Sequence, residues 1–249
     1  MESKVIGDAV IHNSRYEDIT FTENTFDLVI TSPPYNVGAM YDEHDDNMNN
    51  EDYQRFADRT MRTLAKWIKP DGRICLEIGS SGRNFPLGWW WQTAAYNAGL
   101  HLFSQIMLEH RKSNECAWGS YLKADSVYTI PNFHELFVFY KDTPKKKGGE
   151  TTITKSEWTE WTRGRWKINF SIGSTKLHPA QFPVELPRRC MRLFGHKGDQ
   201  VLDLFMGTGS TGVASMKEGR IFTGIDKSKM YYKIAENRLL EVYNQPRLL

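Results

Sequence analysis

The chain is poor in cysteine, in long apolar runs and in net charge, and each shortage removes a class of protein. Cys75, Cys116 and Cys190 are its only cysteines, an odd number with no Cys-x-x-Cys spacing. That argues against a disulfide framework and a zinc site, so no metal is expected, and it suits a reducing cytosol. No stretch approaches the roughly 18 apolar residues that cross a bilayer. The opening Met1-Glu2-Ser3-Lys4 lacks the apolar core of a secretory signal, so a cytoplasmic location is expected. No repeat is present, and the only low-complexity tract is Lys145-Lys146-Lys147.

What is there fits one domain. The 249 residues, 40% hydrophobic and 25% charged, suffice for one sizeable α/β domain with an elaboration and fall short of two. The net charge of +2 is unevenly placed. Between Lys141 and Lys176 stand nine Lys or Arg and four acids, about +5, which leaves about −3 for the rest. Such a local basic surface is the footprint of a phosphate-binding face, although a solvated loop has the same composition. Trp158, Trp161 and Trp166 in the same span argue against a purely solvated loop.

Apolar runs of strand length alternate with segments of helical period. Strands are predicted over 4–10, 26–31, 73–78, 102–108, 135–140, 200–205 and 220–226. The first ends in Gly7-Asp8-Ala9, and the second stops at Ser32-Pro33-Pro34 because proline cannot continue a central strand. Helices are predicted over 51–68, 85–98, 183–194, 211–218 and 229–243. Residues 142–175 show no clear period and read as an inserted recognition region. The alternation implies a mainly parallel, doubly wound α/β sheet.

Two segments carry chemistry. The first is Asp203-Leu204-Phe205-Met206-Gly207-Thr208-Gly209-Ser210-Thr211-Gly212, which leaves a strand and opens a helix. Its glycines let backbone approach a ligand, and the helix N-terminus offers unpaired N–H groups. Asp226 ends the next strand, where a carboxylate can accept ribose hydroxyls. Gly207-x-Gly209-x-x-Gly212 is also a literal dinucleotide fingerprint. A dinucleotide fold needs several further strand–helix units after it, and only 37 residues follow Gly212. The sheet must be completed by strands from earlier in the chain. The second segment is Ser32-Pro33-Pro34-Tyr35, at the strand end where α/β sheets place ligands. Two prolines stiffen the loop, the Ser32 side chain and Pro33 carbonyl form an acceptor pair for an amine, and Tyr35 offers a face for stacking a base.

Together these segments resemble the β-group amino DNA methyltransferases, which carry the Ser-Pro-Pro-Tyr catalytic motif upstream of the cofactor motif. The resemblance implies a seven-stranded, Rossmann-like methyltransferase sheet with circularly permuted motif order. Residues 1–141 would form the catalytic part, 142–175 the DNA target-recognition insert and 176–249 the cofactor-binding part. It extends to Gly7-Asp8-Ala9, to the His-Glu strand within 132–141, to His178-Pro179 and Phe182-Pro183 within 176–186, and to Asp226, Tyr232, Ala235 and Arg238. The chain departs from the commoner Pro-Phe-x-Gly-Ser-Gly-Thr-Thr at Leu204, Thr208 and Ser210, keeping glycines and hydroxyls.

The implied reaction is methyl transfer from S-adenosyl-L-methionine to the exocyclic amine of a base flipped out of double-stranded DNA. Catalytic roles are implied for Ser32, Pro33, Pro34 and Tyr35. Cofactor contacts are implied for Asp8, Ala9, His178, Phe182, Asp203, Phe205, Gly207, Thr208, Gly209, Ser210, Thr211 and Asp226. The expected DNA contacts are Lys145, Lys146, Lys147, Arg163, Arg165 and Lys167. Arg163 and Arg165 could read guanine or hold phosphates. Serine rather than aspartate at position 32 points to cytosine N4, with adenine N6 as the alternative. No proline precedes any of the three cysteines, which excludes the Pro-Cys chemistry of C5-cytosine enzymes. The acidic stretch 42–52 reads as a solvated loop or a DNA-ordered lid, and Trp89-Trp90-Trp91 as core or dimer interface. A homodimer and a cognate restriction endonuclease are the further partners to expect. RNA or protein-amide methylation, a catalytically silent DNA-binding module and a nicotinamide dehydrogenase are the competing readings.

Overall fold

The structure, a computed structural model, describes residues 2–36, 47–79, 86–109, 122–127, 133–168 and 182–245. Its strands are β1 Glu2–Ile6, β2 Ala9–Asn13, β3 Phe26–Thr31, β4 Ile68–Ile78, β5 His101–Glu109, β6 Phe133–Tyr140, β7 Arg165–Lys167, β8 Gln200–Asp203 and β9 Ile221–Asp226. Its helices are α1 Asn50–Trp67, α2 Leu87–Asn97, α3 Lys155–Trp161, α4 Glu185–Phe194, α5 Ser210–Lys217 and α6 Lys229–Asn244. All nine strands join one sheet in the order β1-β2-β9-β8-β3-β4-β6-β5-β7. The five from β2 to β4 are mutually parallel, β1 and β6 oppose them, and β5 and β7 return to the common direction.

Nine strands stand where seven were expected. The first predicted strand is two. Gly7, at φ 56°, and Asp8 form a tight turn, and Ile6 pairs antiparallel with Ala9. Reading the apolar run as continuous missed the reversal. The second surplus strand lies in the supposed insert. Arg165–Lys167 adds to the edge of β5, with Trp166 buried at its centre. Trp166 Nε1 donates to the Trp161 carbonyl at 2.7 Å, which ties β7 to α3.

The described part of 142–175 is therefore packed on the sheet. Thr154 and Glu157 form a reciprocal cap at the start of α3. Glu157 also accepts from Arg188 at 3.0 Å and from Arg192 at 2.9 Å, both on α4. The Arg188 and Arg189 guanidinium groups each stand 5.1 Å from the Trp161 ring centroid.

Two cores flank the sheet. Leu28 and Ile30 of β3 face one side, with Leu186, Met191, Val213, Tyr232 and Leu239 of α4, α5 and α6. Val29 faces the other, with Tyr53, Met61, Leu64, Trp91 and Ala95 of α1 and α2. Fully burying one such side chain contributes about 1.5–3 kcal/mol. Helix α1 starts where the Asn49 side chain accepts from the Asp52 N–H, and Glu51 and Asp52 complement its N-terminal dipole. Part of the acidic stretch is thus a helix start; 42–46 lie outside the described residues. No helix among the described residues is long and apolar enough to cross a membrane.

Candidate active site

Parallel pairing brings the loops after β2, β9, β8 and β3 to one end of the sheet. They surround a cleft of ≈ 430 Å³. Its walls come from 14–17 after β2, 32–35 after β3, 204–208 with Ser210 after β8, and 226–228 after β9. Met48, Phe56 and Arg59 from α1 and its approach, Phe182 and Tyr231 complete it. The volume is that of a ligand pocket.

The Ser-Pro-Pro-Tyr loop is held by a buried polar chain. The Ser32 and Tyr35 hydroxyl oxygens lie 3.0 Å apart, and the Tyr35 hydroxyl donates to Glu77 Oε2 at 2.5 Å. Glu77 Oε1 is 2.5 Å from Nδ1 of His134 on the neighbouring strand β6. Burial pushes the Glu77 carboxyl up, but His134 and hydrogen bonds from Ser32 and Tyr35 outweigh it and hold the carboxyl below its ordinary range. The Tyr35 ring lies against the Gly79 backbone, where a Cβ would come within 2.8 Å of it. The Tyr35 and His134 rings meet edge to face at 5.7 Å.

The glycine turn is fastened by two carboxylates. Fully buried Asp203 accepts from Thr31 Oγ1 at 2.8 Å, from Thr211 Oγ1 at 2.6 Å and from the Phe205 N–H at 3.2 Å. Thr31 adjoins Ser32, so this one side chain links both motif loops. Burial pushes its carboxyl up to about 6 against these three donors. Asp226 accepts from the Gly207 N–H at 2.7 Å and the Ser228 N–H at 2.9 Å. Arg238 of α6 donates to the Thr208 carbonyl at 2.6 Å. Gly209 has φ 83°, and a Cβ there would meet Ala235 at 3.0 Å.

Ser32, Pro33, Pro34, Tyr35, Phe182, Phe205, Gly207, Thr208, Ser210 and Asp226 thus come together on the cleft. Asp203, Gly209 and Thr211 do not line it; they lie behind the turn and shape it. Asp8 and Ala9 are separated from it altogether. Asp8 lies in the turn before β2 and Ala9 begins that strand, whereas the cleft lies past its end at Asn13. The residues that reach the cleft there are Ser14, Arg15, Tyr16 and Glu17. His178 lies outside the described residues.

The basic residues divide. Lys145, Lys146 and Lys147 sit at the opposite end of the sheet. Lys146 pairs with Asp199 at 3.3 Å and Asp27 at 3.8 Å, both next to the amino ends of central strands. The Lys147 N–H donates to Asp71. Their charge therefore does not face the cleft. Arg163, Arg165 and Lys167 are exposed on and before β7, four strand spacings from β3, or about 19 Å. Arg165 pairs with Glu109 at 2.6 Å.

A sequence profile described as DNA methylase, of the N6/N4 methyltransferase type, matches residues 26–237. The chain belongs to this DNA methylase family. The methylase is 34% identical to the type II methyltransferase M.MjaVI of Methanocaldococcus jannaschii over 169 residues, 66% of this chain and 87% of that protein. Among solved structures it resembles the Thermus thermophilus protein TTHA0409 in complex with S-adenosyl-L-methionine. The TM-score is 0.74, at 23% identity over 94% of each chain. It also resembles the cytosine-N4-specific PvuII DNA methyltransferase, with TM-score 0.71 and 17% identity over 95% of this chain and 92% of that one.

Sequence reasoning missed several of the methylase's site residues. Glu77 sits in the apolar end of β4, where its carboxylate is the only interruption, and Gly79 follows that strand. Tyr16, Glu17, Met48, Phe56 and Arg59 reach the cleft through tertiary packing alone. Arg59 Nε lies 3.9 Å from Glu17, and the Tyr16 and Thr60 hydroxyls are 2.8 Å apart.

Proposed function

We propose that the protein transfers the methyl group of S-adenosyl-L-methionine to the exocyclic N4 amine of a cytosine flipped out of duplex DNA. The observation that carries this reading is the meeting of the 32–35 loop and the glycine turn in one cleft, both tied to Asp203. The donor set suits the cofactor. Asp226 supplies a carboxylate, Phe205, Met206 and Tyr231 supply apolar surface, and Gly207 lets backbone come close. Phe182, Phe205, Gly207, Thr208, Ser210 and Asp226 would hold it. Bound there, S-adenosylmethionine brings a methyl group already activated by its sulfonium.

The chain's own residues orient the base. Tyr35 gives its proton to Glu77, so the Ser32 hydroxyl gives its own inward and keeps lone pairs for an amine donor. The Pro33 carbonyl is the second acceptor. Two hydrogen bonds from the amine restrain its rotation and weaken delocalisation of its lone pair into the ring. The Tyr35 ring, fixed by Glu77 at one end and Gly79 at its side, provides the stacking surface. Flipping costs a few kcal/mol, which stacking of about 1–3 kcal/mol helps to offset. Positioning supplies the rate, and no covalent bond to the enzyme forms.

Serine at position 32 favours cytosine, and the fold shared with the N4-specific PvuII enzyme is in keeping with it. Adenine N6 is the second reading, because both bases present a similar amidine-like edge. Arg163, Arg165 and Lys167 are the proposed backbone contacts. The test is incubation with labelled S-adenosylmethionine and duplex DNA, digestion to nucleosides and mass identification. N4-methylcytosine is expected. N6-methyladenine selects the second reading, and absence of label in DNA rejects both.

A further inference from the structure

We propose that Tyr53, in the first turn of α1, is a positioning residue for methyl transfer. In this assignment it fixes the proline pair from behind, through its own hydrogen bond to the Pro34 carbonyl. The proposal rests on the reading of 32–35 as the transfer loop. The Trp91 indole N–H donates to the Tyr53 hydroxyl oxygen at 3.1 Å, and the Tyr53 hydroxyl donates to the Pro34 carbonyl at 2.7 Å. An indole can only donate and a carbonyl can only accept, so the direction of the chain is set. Tyr53 is 1% exposed and Trp91 fully buried, so the chain runs from α2 through α1 to the loop inside the core. The Tyr53 ring is wedged among Phe56, Trp90 and Trp91, with centroids at 5.9, 6.0 and 6.3 Å.

The contact removes a specific freedom. Proline fixes φ at positions 33 and 34 and leaves ψ to rotate. Holding the Pro34 carbonyl fixes ψ there, and with it the peptide that leads into Tyr35. On the far side of Tyr35, Asn36 at φ 58° grips Met48 at both backbone groups, at 2.6 and 2.7 Å. Met48 immediately precedes the cap residue of α1. The start of one helix therefore braces the loop on both sides of the stacking tyrosine. A brace at Tyr53 acts without touching the substrate, and misplacement of reacting groups by about 1 Å can cost ~10²-fold in rate.

Tyr53→Phe deletes one oxygen. The expected result is a fall in kcat of ~10-fold or more, with dissociation constants for S-adenosylmethionine and duplex DNA within about twofold of wild type. This variant also strands the Trp91 N–H, so thermal stability falls. Trp91→Phe controls for that, because it opens space in the core yet keeps the Tyr53–Pro34 bond. It should lose stability and retain a kcat within about threefold of wild type. Turnover of Tyr53→Phe at the wild-type rate overturns the proposal. So does a kcat loss in Trp91→Phe that matches Tyr53→Phe, since the effect would then follow stability. A wild-type protein that methylates no base in DNA overturns the transfer reading and this proposal together.

Discussion

The two ends of the same parallel strands are built for opposite purposes. At the carboxyl ends, polar side chains reach across from strand to strand and hold open a cleft: Asp203 binds Thr31 and Thr211, and Asp226 binds the backbone of Gly207. At the amino ends, charges close on one another. Lys69 meets Asp27 at 2.8 Å, Lys146 meets Asp199, and Asp27 also accepts the Gln200 N–H at 3.0 Å. Arg73 gives its protons to the carbonyls of Asp71, Gly72 and Pro144. The difference teaches that a run of like charge becomes a binding face only after its local partners are counted.

The comparison breaks most visibly at Tyr35. Tyr35→Ala should lower kcat by ~10²–10³-fold with S-adenosylmethionine affinity within about twofold. Calorimetric loss of cofactor binding instead would mean that 32–35 shapes the cofactor site.

Asp203 comes next. Burial raises its carboxyl to about 6, so the fold prefers the neutral form. Its contribution to stability is complete below the ordinary value near 3.8 and disappears as pH rises through about 6, a loss of ~3 kcal/mol. Asp203→Asn cannot ionise, so its stability relative to wild type should rise across that window. Denaturant titrations at about pH 4 and about pH 7.5 giving the same difference would remove the case for a strained carboxylate.

Replacing Arg163, Arg165 and Lys167 together with Ala should weaken duplex binding ~10-fold at low salt and flatten its salt dependence. An unchanged salt slope would move the DNA to another face. The smallest effect belongs to the amino end. Lys145→Ala with Lys147→Ala should alter duplex affinity by less than about twofold, and a larger loss would undo the contrast between the ends.

Much of this was legible in the sequence because periodicity and punctuation agreed. The helices α1, α4 and α6 and the strand β3 stand within a few residues of their predicted places, since proline, glycine or a cap marks their ends. The two motif loops stood out in the sequence, and the structure brings them to the ends of the neighbouring strands β3 and β8. The Gly7-Asp8 reversal was not legible, because a two-residue turn inside an apolar run leaves the period of two intact. The reversal leaves Asp8 and Ala9 at the far end of β2, and it is Ser14 to Glu17, after that strand, that line the cleft. Strand β7 escaped because three residues are too few for a period, and its place depends on Trp166 finding the core. The ion pairs of Lys146 were not legible because Asp27 and Asp199 are far away in sequence.

Gly79 leaves little latitude for drift. With the Tyr35 ring 2.8 Å from where any side chain would begin, even alanine must push the ring or the strand aside. Since that ring also reaches Glu77, a single codon change at position 79 would disturb the serine, the tyrosine and the buried acid at once. The backbone beneath the tyrosine is thus the part of the cleft least able to accept a larger residue.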